Sequence, residues 1–428
     1  MINIIDCRKE KNNLEINKLL NRTQLDFSGV NDTVSQILMD VKSKGDNGLI
    51  KYTEKFDCEN IKNIIVSKKE IDKGYSSCQR DFIEALETSK KNIEDYHRKE
   101  LKNSWIDNSK DGIMLGQLYN PISKVGLYIP GGTAPYPSTL LMCAVPAQIA
   151  GVKEIVLISP PSKDGSINNK ILAAAKVAGI EKIFKAGGAQ GIGALAYGTE
   201  TVPKVDKIVG PGNIYVTMAK RMVYGYVDID MIAGPSEILI IADDEANSKF
   251  IAADMLSQAE HDNLASSILI TTSEKIASEV KEDLSEQMSK LSRNSIMKDS
   301  ISNFGAIVIV NDLKEAFTLS NEIAPEHLEL MIKSPFENLN NIKNAGAIFI
   351  GEYSPEPLGD YFAGPNHTLP TSGTAKFFSP LGVDDFIKKS SIIYYNKKSL
   401  INAKDKIIRI AEEEGLTAHA NSIRIRCE

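Results

Sequence analysis

The chain has 428 residues, enough for two or three hydrophobic cores of ordinary size. Its formal net charge of -6 and the lack of any dense run of Lys and Arg exclude a nucleic-acid surface. No apolar stretch is long enough for a bilayer, and the N-terminus does not resemble a signal peptide, so we expect a cytoplasmic protein without a membrane partner. The five scattered cysteines favour reduced thiols over disulfides or a zinc finger.

The first part of the chain has a helical pattern. Residues 1–25 are polar with a few leucine anchors and predict a helical arm. Apolar residues recur at helical spacing from Val30 to Thr53, and the charged stretch from Lys68 to Trp105 has the same character. We interpret His97 as a surface residue, because charged residues flank it, and Trp105 as a packing anchor.

Short apolar strands alternate with helices from about residue 123 onward. They are predicted at 125–128, 154–159, 182–186 and 207–209, and then at 237–242, 267–271, 306–310 and 347–350. This alternation predicts βαβ units and parallel sheets that bind ligands at the carboxyl ends of their strands. The fold class is therefore α/β, with two doubly wound, incomplete Rossmann-like sheets and small helical extensions at both ends.

Two polar pairs stand near the second group of strands. Gln258 and His261 share one polar stripe of the helix that follows the strand at 237–242, although a solvated helix end remains the alternative. Glu326 and His327 follow a proline at the expected start of a helix, where adjacent side chains diverge and serve different steps. Either pair alone is also common on a surface.

Two glycine-rich turns follow strands of the first group. Residues 191–196 formally match G-x-G-x-x-A, but no acidic residue is cleanly placed about twenty positions later. Tight packing of strand and helix therefore stays an alternative to phosphate binding. Residues 210–213 supply a second turn at the same edge, and two such turns favour a dinucleotide such as NAD.

A further long loop, 354–373, is dense in Gly, Pro and polar residues, which is typical of functional loops.

Five segments resemble the histidinol dehydrogenase family, and the resemblance covers the chain from about Lys124 to its C-terminus. They are GPGNIYVTMAKRMVYGYVDIDMIAGPSEILIIAD, SQAEHD, APEHLEL, GDYFAGPNHTLPT and EGLTAHANSIRIR. The resemblance implies an NAD- and zinc-dependent enzyme of histidine biosynthesis that oxidises L-histidinol to L-histidine through L-histidinaldehyde, in two successive hydride transfers. It also implies an intertwined homodimer in which the C-terminal tail of one chain reaches the site of the other.

The same resemblance implies roles for individual residues. Proton transfers fall to Glu326 and His327. The residues expected to line the NAD site are Tyr128, Gln190 and Asn213. The expected zinc ligands are Gln258, His261, Asp360 and His419, and the substrate is expected to contact these four together with Ser236, His327 and Glu414.

The expected domain boundaries follow from the strands and the resemblance. Residues 26–122 and 236–382 are expected to form one discontinuous α/β domain that carries most of the zinc and substrate site. Residues 123–235 are expected to form the NAD-binding domain, between the arm at 1–25 and the exchanged tail at 383–428.

Two other classes of function remain open on the same residues. A zinc-dependent hydrolase would work without NAD and would not need the two glycine-rich turns. A non-catalytic NAD-binding protein would lack a metal ligand or the Glu-His pair, whereas all of these residues are present. Cys143 would be the nucleophile of a thiohemiacetal route, but no base or cation is near it in sequence, and we interpret it as a core residue.

Overall fold

The computed structural model describes residues 2–8, 19–20, 29–131 and 135–428. The chain begins with a short strand, which four helices and two further strands follow. These are β1 (Asn3–Asp6), α1 (Asn31–Lys44), α2 (Asp46–Phe56), α3 (Lys68–Ser76), α4 (Arg80–His97), β2 (Trp105–Asp107) and β3 (Ile113–Pro121). The expected helical arm is wrong for Asn3–Asp6, where β1 buries Ile5 as the edge strand of a parallel sheet. Most of the remaining arm, 9–18 and 21–25, lies outside the described residues.

A five-stranded parallel sheet occupies the middle of the chain. Its elements are β4 (Lys124–Tyr128), α5 (Pro137–Ala150), β5 (Glu154–Ser159), α6 (Asn169–Ala178), β6 (Lys182–Lys185), α7 (Gly188–Tyr197), β7 (Lys207–Val209), α8 (Ile214–Val223) and β8 (Asp228–Ile229). The strand order is β6-β5-β4-β7-β8. Helix α5 is apolar on all sides and is accordingly buried along most of its length.

A six-stranded parallel sheet follows. Its elements are β9 (Glu237–Ala242), α9 (Ser248–Ala259), β10 (Ser266–Thr271), α10 (Glu274–Met288), α11 (Asn294–Phe304), β11 (Ala306–Ile309), α12 (Leu313–Ile323), β12 (His327–Met331) and β13 (Ala347–Ile350). The strand order is β1-β11-β10-β9-β12-β13. In each sheet the first strand of the unit lies in the middle, and the chain then winds outward in both directions, as in a Rossmann sheet without its sixth strand. In the second sheet, β1 is an additional edge strand beside β11. The predicted fold class is confirmed.

Helices α1 to α4 pack on the five-stranded sheet. Val34 and Leu38 belong to the same buried cluster as Ile158, and Leu86 belongs to one with Leu127. This packing differs from the expected boundary, which placed residues 26–122 with the other unit. The apolar stripes of these helices face the sheet that follows them directly in the chain.

Two side chains of this region differ from their sequence interpretation. His97 is 1% exposed, not a surface residue, because the end of α4 is buried and Glu100 accepts a hydrogen bond from its ring. Trp105 is 51% exposed, not a packing anchor, because it lies in the edge strand of a small open sheet.

The C-terminal part begins with a short helix and ends in a tail. Its elements are α13 (Glu356–Tyr361), β14 (Ile387–Tyr395), α14 (Lys397–Glu413) and α15 (Thr417–Cys427), and short 3-10 turns occur at Arg98–Glu100, Phe336–Asn341, Thr374–Lys376 and Val383–Phe386. Strand β14 pairs antiparallel with β3, and α14 packs against α15. Ile393, Ile410 and Ile425 remain more than half exposed in the tail. No helix in the described part of the chain is both long and apolar enough for a bilayer.

Candidate active site and metal centre

The connection from α12 to β12 places Glu326 and His327. Helix α12 ends at Ile323, and Ala324 adopts a left-handed φ of 51°, which turns the chain toward the sheet. The expectation of a helix starting here is wrong, because His327 is the first residue of a buried central strand. Both side chains are nevertheless buried, with exposures of 5% for Glu326 and 4% for His327.

The peptide groups of Glu237 hold both side chains. The backbone N–H of Glu237 donates to Glu326 Oε2 at 2.8 Å, and the carbonyl oxygen of Glu237 lies 2.9 Å from His327 Nδ1. A carbonyl oxygen only accepts, so Nδ1 carries the ring proton and Nε2 of the neutral ring is free to act as a base. Nε2 has no hydrogen-bond partner among the described residues, and Asp360 Oδ1 lies 4.0 Å from it.

Burial shifts the proton affinity of this pair in opposite directions. Burial raises the pKa of Glu326 well above its ordinary value, even though the Glu237 N–H stabilises the carboxylate. Burial lowers the pKa of His327, which keeps its ring neutral. Buried groups with shifted pKa values that face a cavity are typical of a catalytic acid-base pair.

A group of candidate metal ligands lies beside this pair. Ligand atoms of His261, Glu356 and Asp360 lie within 4.8 Å of one another. The two carboxylates come from α13 at a spacing of four residues, and His261 follows α9. Burial lowers the pKa of His261, so its imidazole is neutral and available to a cation.

Gln258 lies one turn before His261 and is fully buried. Neither Oε1 nor Nε2 of its amide has a hydrogen-bond partner among the described residues. Such an orphaned buried amide is costly unless a ligand completes it. Gln258 and His261, which the sequence places on one stripe, are therefore compatible with a shared metal ion.

Further buried carboxyls lie behind the metal ligands. Glu329 accepts a hydrogen bond from the backbone N–H of Glu356 at 2.8 Å, and Asp254 contacts Glu329. Burial raises the pKa of Glu356 to about 9 and that of Asp254 to about 6, and it raises the pKa of Glu329 as well. Without a cation, Glu356 therefore holds a proton at neutral pH.

A cavity of about 1000 Å³ lies beside His327 of the Glu-His pair and Asp360 of the metal group. His327, Phe349 and Asp360 line it on one side, and Tyr96 and Asp230 line it from the unit of the five-stranded sheet. His367, in the glycine-rich loop, contacts the backbone oxygen of Asp360 at 3.0 Å and Thr139 Oγ1 at 3.1 Å. Through His367, this loop links the metal group to α5.

The expected NAD residues lie at the carboxyl edge of the five-stranded sheet. Tyr128 ends β4, Gln190 lies in the first turn of α7 after β6, and Asn213 caps α8 after β7 with hydrogen bonds of 3.1 and 3.2 Å. For this sheet the binding-edge rule remains an expectation. It is wrong for the six-stranded sheet, where Glu237 and His327 stand at the amino ends of β9 and β12.

In the glycine-rich turn before α7, two backbone N–H groups already donate hydrogen bonds to other residues of the chain. The N–H of Gly187 donates to Asp57 Oδ2 at 3.1 Å, and the N–H of Gly188 donates to the hydroxyl of Tyr128 at 3.1 Å. Burial raises the pKa of Asp57 to about 6 and that of Tyr128 above its ordinary value. A pyrophosphate would compete with a carboxylate here, so the formal G-x-G-x-x-A match does not mark a free phosphate cradle.

Three expected substrate or metal residues are not brought into the metal group. Glu414 and His419 lie exposed on the tail, and within the described residues neither joins the cluster around His261. Ser236 directly precedes β9, where its carbonyl accepts from Ser266. Cys143 is buried, and burial raises the pKa of its thiol to about 12, which agrees with a core residue.

Sequence reasoning missed two residues. Glu356 could have been found by its spacing of four from Asp360, which puts both carboxylates on one face of any helix there. No sequence pattern around Asp57 indicates its role, because only tertiary packing brings the end of α2 to the turn before α7.

Two Rossmann-type sheets and an acid-base pair beside a candidate metal centre define an α/β oxidoreductase. A family model described as histidinol dehydrogenase matches residues 20–427. The chain belongs to the histidinol dehydrogenase family, whose members are NAD-dependent oxidoreductases. The histidinol dehydrogenase of Clostridium acetobutylicum is 58% identical over 394 residues, which are 92% of this chain and 91% of that protein.

Further relatives agree with this membership. The histidinol dehydrogenase of Caldanaerobacter subterraneus subsp. tengcongensis is 54% identical over 428 residues, covering 100% of this chain and 99% of that protein. A crystal structure of histidinol dehydrogenase from Elizabethkingia anophelis has a TM-score of 0.94 at 39% identity, covering 99% of this chain and 98% of that chain.

Proposed function

We propose that this protein oxidises L-histidinol through L-histidinaldehyde to L-histidine, in two successive hydride transfers to NAD, with one zinc ion in each site, in the cytoplasm. The observation that carries the proposal is the buried, unpartnered amide of Gln258 beside the His261, Glu356 and Asp360 group. His327 and Asp360 line one cavity, so the acid-base pair and the metal group are neighbours. We further propose that the unit around the five-stranded sheet binds NAD and that the other unit binds metal and substrate.

The donor atoms present fit zinc. Imidazole nitrogen and carboxylate oxygen are ordinary zinc ligands, and an amide oxygen is a weaker one that leaves the ion electrophilic. Gln258, His261 and Asp360 would supply three ligands from one chain. When bound, zinc would orient the substrate and polarise its reacting oxygen.

His327 and Glu326 divide the proton transfers in this proposal. His327 Nε2, neutral and unpartnered, takes the proton of the alcohol. Glu326, in its ionised form, takes a proton from the water that adds to the aldehyde, which gives the hydrated aldehyde that the second oxidation consumes. NAD supplies the hydride acceptor in both oxidations.

The tail supports a homodimer with exchanged C-terminal helices. His419 and Glu414 are exposed, as are Ile393, Ile410 and Ile425. A symmetric dimer would bury these apolar side chains and would bring His419 and Glu414 of each chain to the site of its partner. The fourth zinc ligand and the last substrate contact would then come from the second copy.

The first test is an NADH assay with L-histidinol before and after treatment with a strong chelator. The proposal predicts formation of NADH that chelation abolishes and that added zinc restores. Activity without NAD, or full activity after verified removal of metal, would contradict it.

A further inference from the structure

Two acceptor oxygens near the turn before α7 receive no hydrogen bond from the residues that the structure describes. Asp57 uses Oδ2 for both of its hydrogen bonds, from Gly187 N–H and from Gln190 Nε2, each 3.1 Å long. Its Oδ1 makes no hydrogen bond to a residue that the structure describes. Gln190 is 1% exposed, and its Oε1 also has no partner among these residues.

The orientation of the Gln190 amide is fixed by its neighbour. Because the carboxylate of Asp57 only accepts, the amide nitrogen must face it, and the amide oxygen must point away. Gln190 Oε1 is buried without a partner, which is costly, and Asp57 Oδ1 likewise has no donor among the described residues. The ligand group that completes them is therefore a donor of hydrogen bonds and not an anion.

The glycines of this turn make room for these oxygens. A Cβ on Gly187 would lie 2.8 Å from Asp57 Oδ1, and a Cβ on Gly188 would lie 2.8 Å from Gln190 Oε1. Gly188 also has a φ of 53°, in the left-handed region. The glycines thus leave space beside these acceptors, whereas in a phosphate-binding turn they expose N–H groups.

The position of the pair within the sheet indicates which part of a dinucleotide it meets. It stands beyond β6 and next to the end of β4, the third and first strands of the unit. In a Rossmann sheet this half holds the adenosine, and an acidic residue there binds its ribose hydroxyls. Here the carboxylate comes from the end of α2 and not from the sheet itself.

We propose that Asp57 and Gln190 together accept the hydrogen bonds of the adenosine ribose hydroxyls, and that Asp57 thereby selects NAD against its 2′-phosphorylated form, NADP. A 2′-phosphate would remove one hydroxyl donor and would place negative charge against a carboxylate. This inference rests on the proposed use of NAD and adds Asp57 as a specificity-determining residue.

The test measures binding by calorimetry at pH 8, where Asp57 is ionised, with NADH, NADPH and ADP-ribose as probes. The intact protein should bind NADH at least about tenfold more tightly than NADPH, as expected for hydrogen bonds to a charged group. Asp57→Asn keeps an oxygen that can accept from the Gly187 N–H. This variant should bind NADH and ADP-ribose about tenfold more weakly, and it should bind NADPH as tightly as the intact protein or more tightly. Glu59→Gln is the matched control, since it removes the same charge from an exposed side chain of the same loop and should change neither affinity.

Equal weakening of NADH and NADPH in Asp57→Asn, with a lower melting temperature, would mean that Asp57 only caps the turn and would overturn the inference. Equal binding of both dinucleotides by the intact protein would also overturn it. If Asp57→Asn does not fold, Gln190→Leu is measured instead. This variant should lower the ratio of the NADPH dissociation constant to the NADH dissociation constant. An unchanged ratio would contradict the proposed role of Asp57 and Gln190. A protein that prefers NADH but does not oxidise histidinol would refute the proposed function and leave this inference standing.

Discussion

His327 Nδ1 lies 2.9 Å from the carbonyl oxygen of Glu237, the first residue of the neighbouring strand β9. This contact fixes the ring tautomer and aims Nε2 at the cavity, while the N–H of Glu237 holds Glu326. Two backbone atoms of one residue therefore position both members of the acid-base pair. His327 is the first residue of β12, and Glu326 directly precedes this strand, so pairing of β12 with β9 brings both side chains to Glu237.

Glu326→Gln separates the two oxidations. The amide oxygen still accepts from Glu237, but the base that activates water is lost, so oxidation of the aldehyde should fall by about 10²–10⁴-fold and oxidation of the alcohol much less. Supplying L-histidinol and L-histidinaldehyde separately in single-turnover experiments measures both steps. His327→Gln is the comparison and should mainly slow the alcohol step. Equal losses in both steps for Glu326→Gln would argue against this division of roles.

Gln258→Leu should stabilise the metal-free protein and weaken its binding of zinc. The leucine removes two buried polar atoms without partners, so the metal-free protein should gain about 1–3 kcal/mol in free energy of unfolding. Zinc affinity should fall at least about tenfold, because a ligand is lost. Urea unfolding of the chelated protein and a competition titration with a zinc indicator measure the two quantities. A destabilised metal-free variant with unchanged zinc affinity would exclude Gln258 as a ligand.

The metal-free protein should lose stability as pH rises. Burial raises the pKa of Glu356 from 4.5 to about 9, so the native state binds one more proton than the unfolded state between these values. Its contribution is fully present below pH 4.5 and is lost as pH rises to about 9, at a slope of about 1.4 kcal/mol per pH unit for one proton. In Glu356→Gln the decline should be shallower by this slope, as measured by urea unfolding across pH. Parallel profiles would contradict a protonated Glu356.

Mixed dimers test the exchange of tails. His261→Ala and His419→Ala should each be inactive alone through loss of a zinc ligand. When the two chains are refolded together, one site of a mixed dimer receives both intact histidines and the other receives both defects. The mixture should therefore regain about one working site per mixed dimer. No recovery at any mixing ratio would mean that the tail serves its own chain.

The sequence predicts strands well where burial is uniform. The run at Glu237–Ala242 is apolar and β-branched between clear turn signals, and the structure has a strand with the same bounds. The stripe of Gln258 and His261 depends on helical spacing alone, and the structure keeps it at the end of α9. Local patterns suffice for such features.

Other features depend on tertiary packing and escape local patterns. Pro325 is typical of the first residue of a helix. His327 nevertheless begins a strand, because it pairs with the neighbouring strands β9 and β13. His97 has charged neighbours in sequence, and only the fold buries it. Asp57 reaches Gln190 across 133 positions of the chain, a contact that one sequence does not reveal. Sites that combine distant segments therefore need the structure.

The ratio of NADH formed to L-histidinol consumed shows whether one site carries out both oxidations. A site with a separate base for the alcohol and for water completes both oxidations, so limiting histidinol with excess NAD should give two NADH per molecule and L-histidine as the product. A ratio of one, with L-histidinaldehyde accumulating in solution, would contradict the account.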